Sequence, residues 1–577
     1  MPCYPRYVRL GFPSITLFLA LTAAENVLAS SATPTFTADI APLLAKHCLP
    51  CHFPAGIASV ASFTSYVAVR PWAKAIKEKV TLREMPPWPA DPARSLKFRN
   101  DARLTNADIN TLIKWIDAGV PEGSGVASLT PAPNNNDWAH PQGRKPDLVI
   151  SMERDLQLPA SGEIPYLRFL VKVPLTADRW VSACQARPGN ASVVHHMAIT
   201  EVALDNGVTP SDIEAFTILA RQMGLTGGAP GIRPAVKSLA NQNVVDMLAI
   251  YTPGATLEAY PDDTAKLLRG ASNDYINFNI HYTPNGKPST DRSQVAFWFR
   301  DTPPKHQLYR VPASAGTIIA NGKELLSDLP GTKAEGTNTV IPPIPAGDAN
   351  YELIGITAFT QPVTIYQLHP HAHFRGKDFT YVAIFPDGRE LALLIVPKYD
   401  FRWQLAYELE TPLKLPAGSK LVVTAHYDNS PNNKFNPDAA KEVFFRDQNQ
   451  STDEMFSPFV QYSVDTEHPA SQSPPPTGLP LVETIGCLTP GPDHGSWRLL
   501  EATVPTSVAS QAANSDSLQR ASQAKPGVEE FQLVGLSPFN ASQHKGETAA
   551  VRGVLLPGSG NRLNVTSLQS VASFCAN

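Results

Sequence analysis

The rhythm of apolar and polar positions changes along the chain. Between residues 33 and 125 the apolar side chains recur at helical spacing, with Ile40, Leu43, Leu44 and His47 on one face. The stretch LTNADINTLIKWIDAG predicts a helix over 106–118, with Thr105 or Asn106 as N-cap and Gly119 as the stop. From 147 to 469 the pattern shortens to strand-length runs between Pro, Gly and Asn turns: YLRFLVKVPL, VVHHMAITEVAL, YINFNIHYT, QVAFWFR, VTIYQLHPH, FTYVAIF, ALLIVP, KLVVTAHYDN. Such runs predict antiparallel sandwiches. The region is too long for one sandwich, so two are expected, 147–305 and 306–469. Residues 481–577 again read as strands (LVETIGCLT, WRLLEATV, EEFQLVGL, AAVRGVLL, NRLNVTSL) and suit a small five-stranded, OB-like barrel.

Linkers separate these units. One spans 126–146 and contains TPAPNNND at 130–137; a Pro-rich one spans 470–480. Residues 211–245 read as an insertion with helical character. The expected fold class is therefore multidomain and mainly β, with a small helical unit at 33–125.

Composition narrows the function. Of 577 residues 43% are hydrophobic and 17% charged, enough for several packed cores, and the net charge of −4 without a basic stripe argues against nucleic-acid binding. Six cysteines are too few for a disulfide scaffold, and no long apolar run follows the N-terminus, so no membrane span is expected after it. Residues 1–29 read as a secretory signal: Arg6 and Arg9, a short apolar stretch at 10–24, and Val27-Leu28-Ala29 before the cut. A single membrane anchor is the other reading, against which Glu25 and Asn26 argue. Cleavage would remove Cys3 and leave a periplasmic or secreted protein in an oxidising space.

Cys48-Leu49-Pro50-Cys51-His52 is the attachment pattern of covalent haem c, with thioethers from Cys48 and Cys51 and His52 as proximal ligand. A redox dithiol or half a zinc site are the alternatives, and no second CxxC completes a zinc site. Met85, in Glu84-Met85-Pro86-Pro87-Trp88-Pro89, is the candidate sixth ligand. CxxCH followed by RPWAKAIKEKV at 70–80 and REMPPW at 83–88 resembles a class of bacterial cytochrome c domains over about 90 residues. That resemblance implies Met85 as axial ligand and a one-electron carrier.

Seven of the fourteen histidines fall in a few short motifs: His52, His195, His196, His281, His369, His371 and His373. Neighbours on a regular strand face opposite ways, so His195 and His196 can share an ion only at a strand end, bend or edge. His281, ending YINFNIHY, is a candidate third imidazole. His371 and His373 are expected to share one face of a strand, with His369 on the same face. Met455 is the only methionine in the second half of the chain, and a His–His–Met set suits copper.

Residues 147–469 resemble the type II copper, ascorbate-dependent monooxygenases, the family of peptidylglycine hydroxylating and dopamine β-monooxygenases. The motifs are His195-His196-Met197, His281-Tyr282, His371-Ala372-His373 with Gly376-Lys377, and Asp453-Glu454-Met455, in family order. The resemblance implies an electron-transfer copper on His195, His196 and His281. It implies an oxygen-activating, catalytic copper on His371, His373 and Met455. It also implies a solvent-filled gap between them. The peptide-amidating enzyme has Arg where this chain has His369 and Tyr where it has Phe459, so peptide amidation is not expected. His369, Arg375 and Phe459 are candidates for contact with the substrate or support of the ligands, and His426 reads as a strand-end residue with its own partners.

The expected activity is hydroxylation of a C–H bond in a small organic molecule by O2. The cofactors are covalent haem c and two copper ions, and an external one-electron donor, ascorbate-like or a redox protein, is the partner. Alternatives are a non-enzymatic electron-transfer or copper-binding protein on the same fold, and a zinc hydrolase. The last is disfavoured by Met455 and by the lack of HExxH. Cys487 and Cys575 are expected to form a disulfide across the C-terminal barrel, and Cys184 to be a buried free thiol.

Overall fold

The structure is a computed structural model. It describes residues 33–575 except 55, 57, 126, 128, 130–137, 205–243, 254–256, 271–273, 332–338, 447–448, 470–476 and 559–560. The signal segment 1–29, the 130–137 run, most of the 211–245 insertion and most of the Pro-rich linker lie outside the described residues.

The chain is mainly β, and helices are concentrated before residue 120. Helix Asn106–Asp117 begins where the sequence requires: Thr105 caps it, and Asp108 returns the bond to the cap in a capping box. Its buried Ile109, Leu112 and Trp115 join Phe36, Ile40, Leu44 and Val80 in the core of the helical unit. No helix among the described residues is long and apolar enough to cross a membrane.

A four-stranded sheet runs Leu167–Lys172, Asp274–Tyr282, Val194–Ala203, Val244–Tyr251. The larger sheet has nine strands. Its main path is Leu148–Ser151, Gln294–Arg300, Arg179–Arg187, Thr264–Leu268, His306–Pro312, Phe459–Val464, Val363–His369, Tyr407–Leu415. It crosses the expected boundary at 305: His306–Pro312 pairs in parallel with Thr264–Leu268 and antiparallel with Phe459–Val464.

A six-stranded sheet packs on both faces, which explains why its strands read as nearly continuous apolar runs. In Lys420–Tyr427, Leu421, Val423 and Ala425 join one core while Val422 joins another. That second core includes Val482, Leu499, Phe531 and Val551 of the C-terminal unit. There the strands close a ring in the order Leu481–Pro490, Trp497–Ala502, Glu529–Val534, Arg562–Ala572, Thr548–Leu556. Cys487 and Cys575 form a disulfide, which stabilises such a unit by about 2–4 kcal/mol. Cys184 is buried and unbridged.

Residues 88–102, which the sequence assigns to the helical unit, pack across the second sandwich. Trp88, Ala90 and Phe98 belong to its core; Trp88 meets Tyr407 edge-on at 5.0 Å between ring centres and Phe98 meets it tilted at 5.3 Å. Backbone bonds fix the segment: Asp91 N to Ile395 O, Leu96 N to Leu393 O, Arg99 N to Glu408 O.

Candidate metal centre

His195 and His196 open the strand Val194–Ala203, beside Asp274–Tyr282, which carries His281. The register slips between Val194 and His196, and His196 then faces His281 directly. This irregularity, of the kind that re-aims side chains, brings adjacent residues to one side. His195 Nδ1 lies 3.1 Å from His196 Nδ1 and 3.2 Å from His281 Nδ1. Three ring nitrogens at about 2.0–2.1 Å from one ion stand about 3.3–3.6 Å apart, so the cluster needs only slight expansion. Among the described residues, the ligand atoms of these three histidines form a metal-competent group. Their far nitrogens are partly held: His196 Nε2 by Tyr166 Oη at 2.9 Å, and the His195 ring by the Arg402 carbonyl.

The second set corrects one expectation. Strand Val363–His369 ends before the HxH motif, so His371 and His373 lie in a connection and share no strand face. Hydrogen bonds fix them instead. His371 Nδ1 donates to Gln404 Oε1 at 2.7 Å, leaving Nε2 3.2 Å from Met455 Sδ. His373 Nδ1 donates to the Asp453 carbonyl at 3.0 Å, and its Nε2 is buried without a partner. Glu454 braces the loop by accepting the backbone N–H groups of His373, Arg375 and Met455. Holding one imidazole nitrogen and presenting the other is how proteins orient metal ligands. Two Nε2 atoms and a thioether form a soft donor set suited to Cu(I).

The two sets adjoin, and the space between them is a small cavity rather than a wide gap. His196 and His371 ring centres are 5.6 Å apart, and Gln404 spans them, its Nε2 3.4 Å from His196 Nδ1. Tyr166 stacks on His373 at 5.6 Å, and Phe401 contacts rings of both sets. One sheet runs through both halves of the region and brings the two sets side by side. Burial lowers His195 and His371 to about 4, His373 to about 3, and His196 and His281 well below the ordinary imidazole value. All are therefore neutral and ready to ligate at neutral pH.

In the helical unit Cys48 and Cys51 are free thiols, pushed up to about 12 and about 11 by burial. His52 Nδ1 donates to the Ala61 carbonyl at 2.8 Å, which leaves Nε2 for an axial bond. Met85 lines a cavity of about 510 Å³ together with Val80, Leu104, Ile109, Arg83 and Arg103. The cysteines and His52 do not line that cavity. The thiol pair and the held imidazole suit attachment of a covalent haem, but Met85 stands at a separate cavity, so the structure does not bring the expected sixth ligand to them.

No family model matches the chain, and no curated protein matches it. An allantoicase structure aligns with 46% of this chain and 75% of its own, at 10% identity and a TM-score of 0.15, a likeness that carries no argument.

The remaining candidates separate. Buried Arg375 reaches the Ser451 carbonyl and Asn436 Oδ1, a structural tie behind the Asp453–Met455 loop. His426 bonds Asp378 at 2.7 Å, as expected of a strand-end residue. His369 and Phe459 line a cavity between the two sets. Sequence reasoning missed Tyr166, Gln404, Phe401 and Asn279. IPYLRF and FRWQLAY carry no metal-site signal, and only the fold brings them to the histidines.

Proposed function

We propose that the chain is an exported haem–copper monooxygenase that hydroxylates a C–H bond of a small organic substrate with O2, taking electrons through its c-type haem from an external one-electron donor. One observation carries the reading: two distant motif pairs converge into adjoining sets, three Nδ1 atoms in one, two imidazoles and a thioether in the other. His195, His196 and His281 would hold one copper, His371, His373 and Met455 the other, and Cys48, Cys51, His52 and Met85 the haem. When bound, these groups supply one-electron transfer and O2 activation.

The chain's own residues supply orientation. Tyr166, Gln404 and the Asp453 carbonyl fix imidazole direction, and Phe401 packs against rings of both sets. The helical unit is close at hand. Residues 88–102, which follow Met85, pack in the core beside the His371 set and hydrogen-bond Leu393, Ile395 and Glu408, and Glu84 acts electrostatically on Arg402, whose carbonyl holds His195. This proximity supports electron entry from haem at the His195 set. The closed C-terminal ring, with Glu529–Val534 parallel to Arg562–Ala572, supports an OB-like barrel there, and the Cys487–Cys575 disulfide agrees with export.

The test is metal content per covalent haem in exported, copper-loaded protein, with His195→Ala and Met455→Ala alongside. Two coppers per haem, one lost in each variant, are expected, followed by substrate-dependent O2 uptake. No tightly held copper overturns the reading, and two coppers without O2 uptake across a substrate screen leave an electron-transfer or copper-binding protein.

A further inference from the structure

The cavity between the two imidazole sets has about 40 Å³ of space, room for about three waters. Ala198, Met247, Ile250 and Phe459 give it an apolar wall drawn from both sandwiches. His371 and Met455 close one side.

Two polar groups on this wall have no partner. His369 is 3% exposed, yet neither ring nitrogen has a hydrogen bond. Asn279 Oδ1 is buried and equally unpaired. The other polar side chains of the wall are engaged: Tyr166 with His196, and Gln404 with His371, His196 and the Phe401 carbonyl. A buried polar group left unpaired is destabilising, so three such atoms at one cavity amount to an open demand for a ligand. A neutral imidazole offers one donor and one acceptor, and Asn279 Oδ1 asks for a donor.

Charge narrows the ligand. No Arg, Lys, Asp or Glu lines the cavity. The guanidinium of Arg310, whose charge reaches His369, is committed to Glu258 and Gln367. A carboxylate or ammonium would enter uncompensated, at a cost no apolar contact there offsets. A hydroxyl both donates and accepts, and matches the unpaired atoms.

The geometry points to a binding pocket for a small, neutral, largely hydrocarbon alcohol, with His369 and Asn279 engaging its hydroxyl beside His371 and Met455. The pocket lies at the reacting face only if the copper reading holds; the binding itself does not depend on that reading.

Saturation-transfer NMR on the full haem-bearing chain, copper-free and copper-loaded, tests this with 1-propanol, propionate and propylammonium as probes. Wild type is expected to respond to 1-propanol and not to the two ions. His369→Phe and Asn279→Leu are expected to weaken the response at least tenfold with haem and copper content unchanged, and His369→Gln to retain part of it. Equal responses in wild type and both variants overturn the proposal, as does preference for either ion. Loss of one copper in His369→Phe also overturns it, by making His369 a metal ligand. Failure of wild type to bind copper would sink the monooxygenase reading and leave the copper-free NMR result standing.

Discussion

Gln404 divides one amide between two clusters: its Oε1 accepts from His371 Nδ1 and its Nε2 approaches His196 Nδ1. Removing such an orienting partner typically costs 10–100-fold in metal affinity. Gln404→Leu is therefore expected to weaken copper at the His371 set by about that factor, measured by chelator competition, with covalent haem unchanged. Lys420 is a different case. Its ammonium is buried against the Gly535 and Val565 carbonyls, and burial lowers its pKa from 10.5 to about 7. Between those values the unfolded chain binds the extra proton, so the group's destabilisation is full below pH 7 and gone above 10.5. Stability should rise with pH through that window, and Lys420→Met should flatten the rise in denaturant melts. At this scale the candidate residues were legible from chemistry and spacing, because His-His-Met, HxH and a solitary Met455 are rare combinations, and the structure brings their side chains together. The residues that orient them were not: Tyr166 lies 30 positions before His196 and Gln404 lies 33 after His371, separations no local pattern encodes.

Helix 106–117 and most strand runs follow the sequence periodicity because each buries a face that its own residues supply. Two elements departed from it. The HxH motif sits past the end of its strand, since Pro370 cannot donate to a ladder and the loop is instead pinned by Glu454. Residues 88–102 lack a strong strand pattern, yet their aromatic residues fill the second sandwich, so a cut at 125 read from motif boundaries alone misses their packing. Trp88→Ala should cost about 3–5 kcal/mol, since its indole meets both Phe98 and Tyr407 in that core. Limited proteolysis should then cleave within 88–102, where wild type resists.

At the scale of the whole molecule, mainly-β architecture and the C-terminal disulfide were readable, because strand rhythm and two cysteines bracketing one unit are properties of the chain itself. The adjoining of the two imidazole sets was not, because it depends on how two sandwiches meet. They meet through one sheet, and this has a consequence for modularity. His306–Pro312 is hydrogen-bonded on one side to a strand of the first sandwich and on the other to a strand of the second. A chain divided at 305 would leave each half with a raw strand edge, a template for self-association. The halves expressed separately should aggregate, and coexpressed they should recover a single soluble species by gel filtration. The two halves are therefore one folding unit, and neither can be cut away or replaced alone without leaving the other's edge open.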